Sequence, residues 1–167
     1  MAYHRCRYKG SQSSYLFEYT NIVMSGASDT IITDVDWNEA TFSGKKWRLE
    51  FSVDPFTSSS TRAALISTST DNMNYFMRSR NFRQRIGTNE ASVFSTSLYA
   101  NDQIAVEYDG SGTVTLYVGG VLKATKTGHN PSYASGSTTN KIRIGARPNN
   151  AWPYSGTINY IRLKFID

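Results

Sequence analysis

The run Asp34-Val35-Asp36-Trp37-Asn38-Glu39 is the first stretch whose residue types and spacing could do chemistry. Carboxylates at alternate positions of a strand point to one side. Glycoside hydrolysis uses two of them, about 5 Å apart for retention of configuration and wider for inversion. Here the preferred reading is a solvated acidic turn leading into the segment KWRLEFSV. Other catalytic sets are poorer. His4 and His129 are the only histidines and Cys6 is the only thiol. There is no Gly-x-Ser-x-Gly elbow, no His-x-x-x-His pair, no phosphate loop and no dinucleotide fingerprint. Zinc lacks ligands. The chain is therefore expected not to be an enzyme.

Binding residues are easier to nominate. In MRSRNFRQRIG, Arg78 and Arg80 share one face of a strand, and Arg83 and Arg85 share one face of the next. A hairpin about Asn81-Phe82 would gather these guanidiniums into a patch suited to phosphate, carboxylate or sulfate. The plain alternative is a solvated sheet face with acidic residues across it. Nucleic acid is not the expected partner, because only Phe82 offers an aromatic ring among these basic residues. A second basic cluster, His4, Arg5, Arg7 and Lys9 with Tyr3 and Tyr8, opens the chain and suits an acidic partner surface. Two long polar loops, 127–139 and 147–156, carry Tyr133, Trp152 and Tyr154. Tyr133 and Trp152 are candidates for stacking on a glycan, whereas Tyr154 is expected to pack inward.

The elements that must position these residues are strands. KWRLEFSV alternates Trp47, Leu49, Phe51 and Val53 with Arg48, Glu50 and Ser52. QIAVEYD, TVTLYV and KIRIGA alternate in the same way, which is the mark of strands with one face on a core and one in water. Asp109-Gly110-Ser111-Gly112 and Gly119-Gly120 are hairpin turns, so residues 103–126 form a three-stranded meander. Further strands are expected near 14–19, 30–33, 62–69, 73–78, 83–87, 92–96 and 157–166. In TINYIRLKFI the apolar phase slips after Tyr160, which calls for a bulge there. A chain that ends inside such a strand is expected to place it in the body of a sheet, beside an N-terminal strand.

The remaining bounds are broad. A chain of 167 residues fits one domain, and its net charge is +5. A single cysteine allows no intrachain disulfide, and no run approaches a membrane span. The basic start is not followed by an apolar h-region, so no classical secretion signal is expected.

On the double hairpin YDGSGTVTLYVGGVLKATKTG, the closing pattern NKIRIGARP…YSGTINYIRL and the early strand KWRLEFSVDP, the chain resembles the concanavalin A-like and laminin G-like domains over about residues 45–165. The resemblance implies an all-β fold, a two-sheet antiparallel β-sandwich of the concanavalin A-like jelly-roll type. The expected organisation is a basic N-terminal arm or first strand over 1–20 and a laminin G-like domain over 21–167. Enzymes of this family carry their acids as Glu-x-Asp-x-x-Glu in mid-chain, and Asp34 departs from that in residue and place. Family members also hold calcium at one rim. Asp34, Asp36, Glu39 and Asp102 would be the donors, but Asn159 stands where Asp is common, and no cofactor is expected. The leading expectation is a non-enzymatic structural or interaction module on a phage or other virus particle, docking on a capsid or tail protein and forming a homo-oligomer, with the virion as its location. The alternative is a carbohydrate-binding module using Trp152, Tyr133, Asn149 and Asn150, with a glycan as partner.

Overall fold

The computed structural model describes residues 14–26, 29–54, 62–69, 73–78, 81–86, 89–92, 98–129, 131–148 and 151–167. Over 73–92 the side chains described are those of Tyr75, Phe82 and Arg83. In chain order the elements are β1 (Tyr15–Ser25), β2 (Ile31–Asp36), a single-turn α1 (Glu39–Phe42), β3 (Trp47–Asp54), β4 (Ala63–Thr68), β5 (Met73–Arg78), β6 (Asn81–Ile86), β7 (Asn89–Ser92), β8 (Ile104–Tyr108), β9 (Val114–Val118), β10 (Val121–Lys126), β11 (Lys141–Ile144) and β12 (Ser155–Phe165). They form two six-stranded antiparallel sheets. Sheet I has the order β1-β12-β3-β8-β9-β10, and sheet II has the order β2-β11-β4-β5-β6-β7. Among the described residues no helix is long and apolar enough to cross a membrane.

Alternation in the sequence becomes the inner face of the sandwich. Trp47, Leu49, Phe51 and Val53 of β3 are all buried, as are Ile104, Val106 and Tyr108 of β8 and Val114 and Leu116 of β9. An aromatic cluster ties the sheets together. Trp37, just beyond β2, lies 4.5 Å from Phe42, 5.7 Å from Trp47 and 6.5 Å from Tyr75. Tyr75 in turn stacks on Phe82 at 5.2 Å, and Phe82 on Phe51 at 5.5 Å. Rings of this size supply most of the apolar area such a core can remove from water. The β9–β10 reversal uses Gly119 and Gly120, both at positive φ (58° and 79°), the primed-turn geometry that matches strand twist.

The last strand behaves as its sequence requires. β12 lies between β1 and β3, and its register against β3 shifts between Ile158 and Tyr160. Asn159 is the extra residue, and its amide nitrogen donates to Ser52 Oγ (3.1 Å) and Asn101 Oδ1 (2.9 Å). Ile158, Ile161 and Leu163 are consequently all buried on the same side.

Three expectations are corrected. The acidic run is not a solvated turn. Asp34 and Asp36 belong to β2, and Asn38 and Glu39 open α1. The Arg-rich hairpin does not turn about Asn81-Phe82, because both belong to β6 and Arg78 pairs with Asn81. Phe82 is fully buried, so it is a core ring and not a ring exposed among arginines. β7 begins at Asn89, and residues 93–96 of the strand expected near 92–96 lie outside the described residues.

The loop after β10 is stitched to the segment around α1. Trp37 Nε1 donates to Ser132 O (2.8 Å), Asn140 Nδ2 to Trp37 O (3.1 Å), and Gly136 N to Glu39 Oε2 (2.8 Å). His129 is buried, with Tyr75 Oη 3.2 Å from its Nε2. Burial, helped by the charge of Lys126, lowers its pKa from about 6.5 to about 4. The unfolded chain therefore takes up this proton first as pH falls. The stability held by neutral His129 is complete above the unfolded value and drains away between about pH 6.5 and pH 4, by on the order of 3 kcal/mol. Urea titrations of the wild type and of His129→Gln across that window are expected to show a markedly shallower pH dependence in the variant. An equally steep fall in both would mean that another group carries the effect.

Candidate functional site

The strands of sheet I that turn apolar residues inward must turn their alternate residues outward. β3 presents Arg48 and Glu50. Across the β12 register Arg162 stands opposite Glu50, and across the β8 register Glu107 stands opposite Arg48. The four close into one ion-paired network. Arg48 Nε donates to Glu50 Oε1 (2.6 Å) and its Nη1 to Glu107 Oε1 (2.5 Å). Arg162 Nε donates to Glu50 Oε2, and its Nη1 to Glu18 Oε1 on β1 (3.2 Å). Glu50 is the hub, with a side chain 11% exposed, while Arg48 and Arg162 remain 26% and 33% exposed.

Tyrosine rings surround the network. Arg48 lies 5.6 Å from the Tyr117 centroid. Arg162 lies 4.7 Å from that of Tyr15 and 5.3 Å from that of Tyr160, and Lys164 Nζ lies 5.5 Å from Tyr15. All three rings are half-buried. The face thus combines planar charged groups with apolar ring surface, the mix that orients a polar ligand while removing its apolar side from water.

Electrostatics fixes the protonation state. Burial alone would raise the pKa of Glu50, but the hydrogen bonds from Arg162 and Arg48 outweigh it and hold the carboxyl below the ordinary value. Burial, then the Glu50 charge, raises the Tyr15 hydroxyl. The Glu107 charge, then burial, raises that of Tyr117. At neutral pH Glu50 is an ionised acceptor and the Tyr15 and Tyr117 hydroxyls are intact donors. Each guanidinium has five N–H donors. Arg48 and Arg162 spend Nε and Nη1 on carboxylates, and among the described residues Nη2 of each has no protein partner.

A general acid needs a carboxyl whose pKa is raised. Among the described residues, Asp29, Asp36, Glu50 and Asp109 are the carboxylates whose values are displaced, and all four move down. The acidic run is equally committed. Asp36 binds Lys141 Nζ (2.8 Å) and Asn140 N (2.7 Å), and Glu39 accepts from Gly136 N. Asp102 accepts from Tyr99 N at 2.9 Å. Among the described residues no three His, Cys, Asp or Glu side chains converge as a metal site would require.

The nominated binding residues fare differently. Arg5, Arg7, Arg80, Asn149 and Asn150 lie outside the described residues. Arg78 and Arg85 are placed by backbone pairing alone, Arg78 against Asn81 and Arg85 against Asn74 and Glu90. Arg83 is half-buried at the register position opposite Phe76. Tyr133 is half-buried. Its ring packs 5.3 Å from Trp37 and 5.9 Å from Phe42, and burial lifts its hydroxyl to about 12. Trp152 is half-buried with two guanidiniums near its ring, Arg147 at 4.1 Å and Arg62 at 4.9 Å. Tyr154 packs inward as expected. The residues missed were Arg48, Glu50, Glu107, Tyr117, Tyr160 and Arg162. Their signal was the polar phase of KWRLEFSV and of the last strand beyond its bulge.

A family profile described as the concanavalin A-like lectin/glucanases superfamily matches residues 27–163. No curated protein sequence matches the chain. Among solved structures, the CBM40 domain of the Ruminococcus gnavus IT-sialidase bound to α2,3-sialyllactose superposes with a TM-score of 0.61 at 9% identity, covering 92% of this chain and 94% of that one. A K499G mutant of the NanB sialidase from Streptococcus pneumoniae gives 0.61 at 16% identity, covering 93% of this chain and 27% of that one. A leech intramolecular trans-sialidase complexed with 2,7-anhydro-Neu5Ac gives 0.57 at 13% identity, covering 90% and 26%. At these identities the likeness is one of fold.

Removing one arginine tests the network itself. Arg162→Ala leaves the largely buried Glu50 with one cation in place of two, and is expected to destabilise the domain by about 2 kcal/mol at pH 7. Glu50 has a depressed folded value, so its contribution is present above the unfolded value near 4.5 and is lost as pH falls through the folded one. Urea midpoints of the two proteins should therefore converge toward pH 3.

Proposed function

The chain belongs to the concanavalin A-like lectin/glucanases superfamily, and from that premise and the geometry of sheet I we propose that it is a non-catalytic carbohydrate-binding module for an acidic sugar. The observation that carries the reading is the convergence of Arg48 and Arg162 on Glu50 amid the rings of Tyr15, Tyr117 and Tyr160. A sugar carboxylate accepts from the Nη2 groups of the two arginines. Ring hydroxyls donate to Glu50 and Glu107, and the apolar face of the sugar lies against tyrosine. The CBM40 domain bound to α2,3-sialyllactose, similar over nearly its whole length, supports a ligand of that kind.

The order of the two sequence expectations is thereby reversed. Neither the fold nor the comparisons support a particle-decoration role, whereas both favour glycan binding. The non-catalytic part of the reading is supported by the likeness to an isolated CBM40 domain over 94% of that domain's length.

Titration calorimetry with α2,3-sialyllactose and with lactose tests the proposal. Sialyllactose is expected to bind and lactose to bind at least tenfold more weakly. Arg48→Lys and Arg162→Lys keep the charge but remove the planar second amino group, and each is expected to weaken sialyllactose binding tenfold or more, about 1.4 kcal/mol. No sialic acid should be released on prolonged incubation. Equal affinity for the two sugars, or full binding in both variants, would refute the assignment.

A further inference from the structure

The bulge in β12 does more than reverse the phase of its strand. Glu50 and Ser52 alternate with the buried Phe51 and Val53, so Ser52 lies on the outer face of β3, about 7 Å along the strand from Glu50. Tyr160 stands opposite Ser52, and Asn159 is the extra residue beside it. One amide proton of Asn159 Nδ2 goes to Ser52 Oγ (3.1 Å) and the other to Asn101 Oδ1 (2.9 Å). Ser52 is buried, whereas Asn101, in the turn before β8, is exposed.

The two amides are held in place. Asn101 has φ of +63°, a left-handed conformation that Asn tolerates better than most residues. Asn101 N donates to Val53 O (2.9 Å), and the turn is closed by Asp102 N to Tyr99 O (3.3 Å) and Tyr99 N to Asp102 Oδ2 (2.9 Å). With both its protons spent, Asn159 keeps Oδ1 as an acceptor. With its oxygen spent, Asn101 keeps Nδ2 as a donor. Among the described residues neither atom has a protein partner. A donor and an acceptor on adjoining amides suit neighbouring hydroxyls, each of which can give one hydrogen bond and accept another. The half-buried Tyr160 ring joins the pair to the charged network, with Arg162 Cζ 5.3 Å from its centroid.

We infer that Asn101, Asn159 and Tyr160 form a second subsite, which takes the neutral hexose linked to the acidic sugar; the inference rests on the acidic-sugar reading of the Arg48–Glu50–Arg162 face. The step of about 7 Å from Glu50 to Ser52 is on the scale of the advance of one sugar along a chain. Asn101 Nδ2 donates to one hydroxyl of the hexose, and a neighbouring hydroxyl donates to Asn159 Oδ1. The Tyr160 ring receives the apolar side of the same sugar. The direction follows from the register. On the other side of Glu50 the row runs through Ala105 and Tyr117 to Leu122, where the Tyr117 hydroxyl is the one side-chain polar group. Because the two amides are already fixed, little ordering is lost when the hexose arrives. The domain therefore favours the acidic sugar within a chain over the same sugar alone.

Calorimetry with α2,3-sialyllactose and with the α-methyl glycoside of sialic acid tests the subsite. The wild type is expected to bind the trisaccharide at least about fivefold tighter than the methyl glycoside, the worth of two neutral hydrogen bonds. Asn101→Gly keeps the left-handed turn and removes the amide, and its thermal midpoint reports that it is folded. In that variant the gap between the two ligands is expected to shrink to about twofold or less. Equal affinities in the wild type, a measurement that needs no variant, would overturn the subsite and leave the acidic-sugar face standing. An undiminished gap in Asn101→Gly would do the same. Binding of neither ligand by the wild type would overturn the acidic-sugar reading, and the subsite with it.

Discussion

The bulge at Asn159 is the constraint on which the candidate face depends. β12 is an interior strand of sheet I, hydrogen-bonded to β1 on one side and β3 on the other. In an unbroken strand that buries Ile158, the residues Tyr160, Arg162 and Lys164 would share its side, and Ile161 and Leu163 would face solvent. Inserting one residue reverses the phase. Ile161 and Leu163 are buried, and Arg162 comes to lie opposite Glu50. Because an interior strand cannot slip without breaking two ladders, this choice is locked. Asn159 satisfies its own amide on Ser52 and Asn101, so the irregularity leaves that amide nitrogen paired.

Glu50 plays the same part in the electrostatics that Asn159 plays in the backbone. Two arginines on neighbouring strands would repel each other and sample many rotamers. A carboxylate hydrogen-bonded to both removes the repulsion and fixes both guanidinium planes. Burial of Glu50 makes the arrangement stiff, since its charge is tolerable only with both partners in place. The aromatic cluster beneath adds rigidity. Trp47 and Tyr108, on the inner sides of β3 and β8, are packed with Trp37 and Tyr75, and the loop carrying His129 and Tyr133 is drawn down onto the same rings.

Much of the fold was legible because it is written in local periodicity. The alternation of KWRLEFSV, QIAVEYD and TVTLYV, the Gly119-Gly120 turn and the phase slip near Tyr160 all map onto observed elements. The candidate site was legible only in halves. Arg48 and Glu50 were visibly on the polar side of their strand, but their partner Arg162 is 112 residues from Glu50, and no local pattern states which strands are neighbours. Long-range contacts were equally out of reach. Tyr133 sits in a polar segment that Trp37 holds through Ser132 and Ala134, contacts made across nearly a hundred residues. Phe82 was read as a turn residue among arginines, whereas its place within β6 turns it inward onto Tyr75.

The two arginine pairs show two ways of holding a guanidinium. At Arg48 and Arg162 the planes are fixed by carboxylates, so each added cation is answered by an anion. Glu18, Glu50 and Glu107 balance Arg48, Arg162 and Lys164, and the face carries little net field. Such a surface discriminates by the pattern of donors and acceptors and depends weakly on salt, as short-range hydrogen bonds do. At Arg62 and Arg147 the guanidiniums lie against a neutral ring.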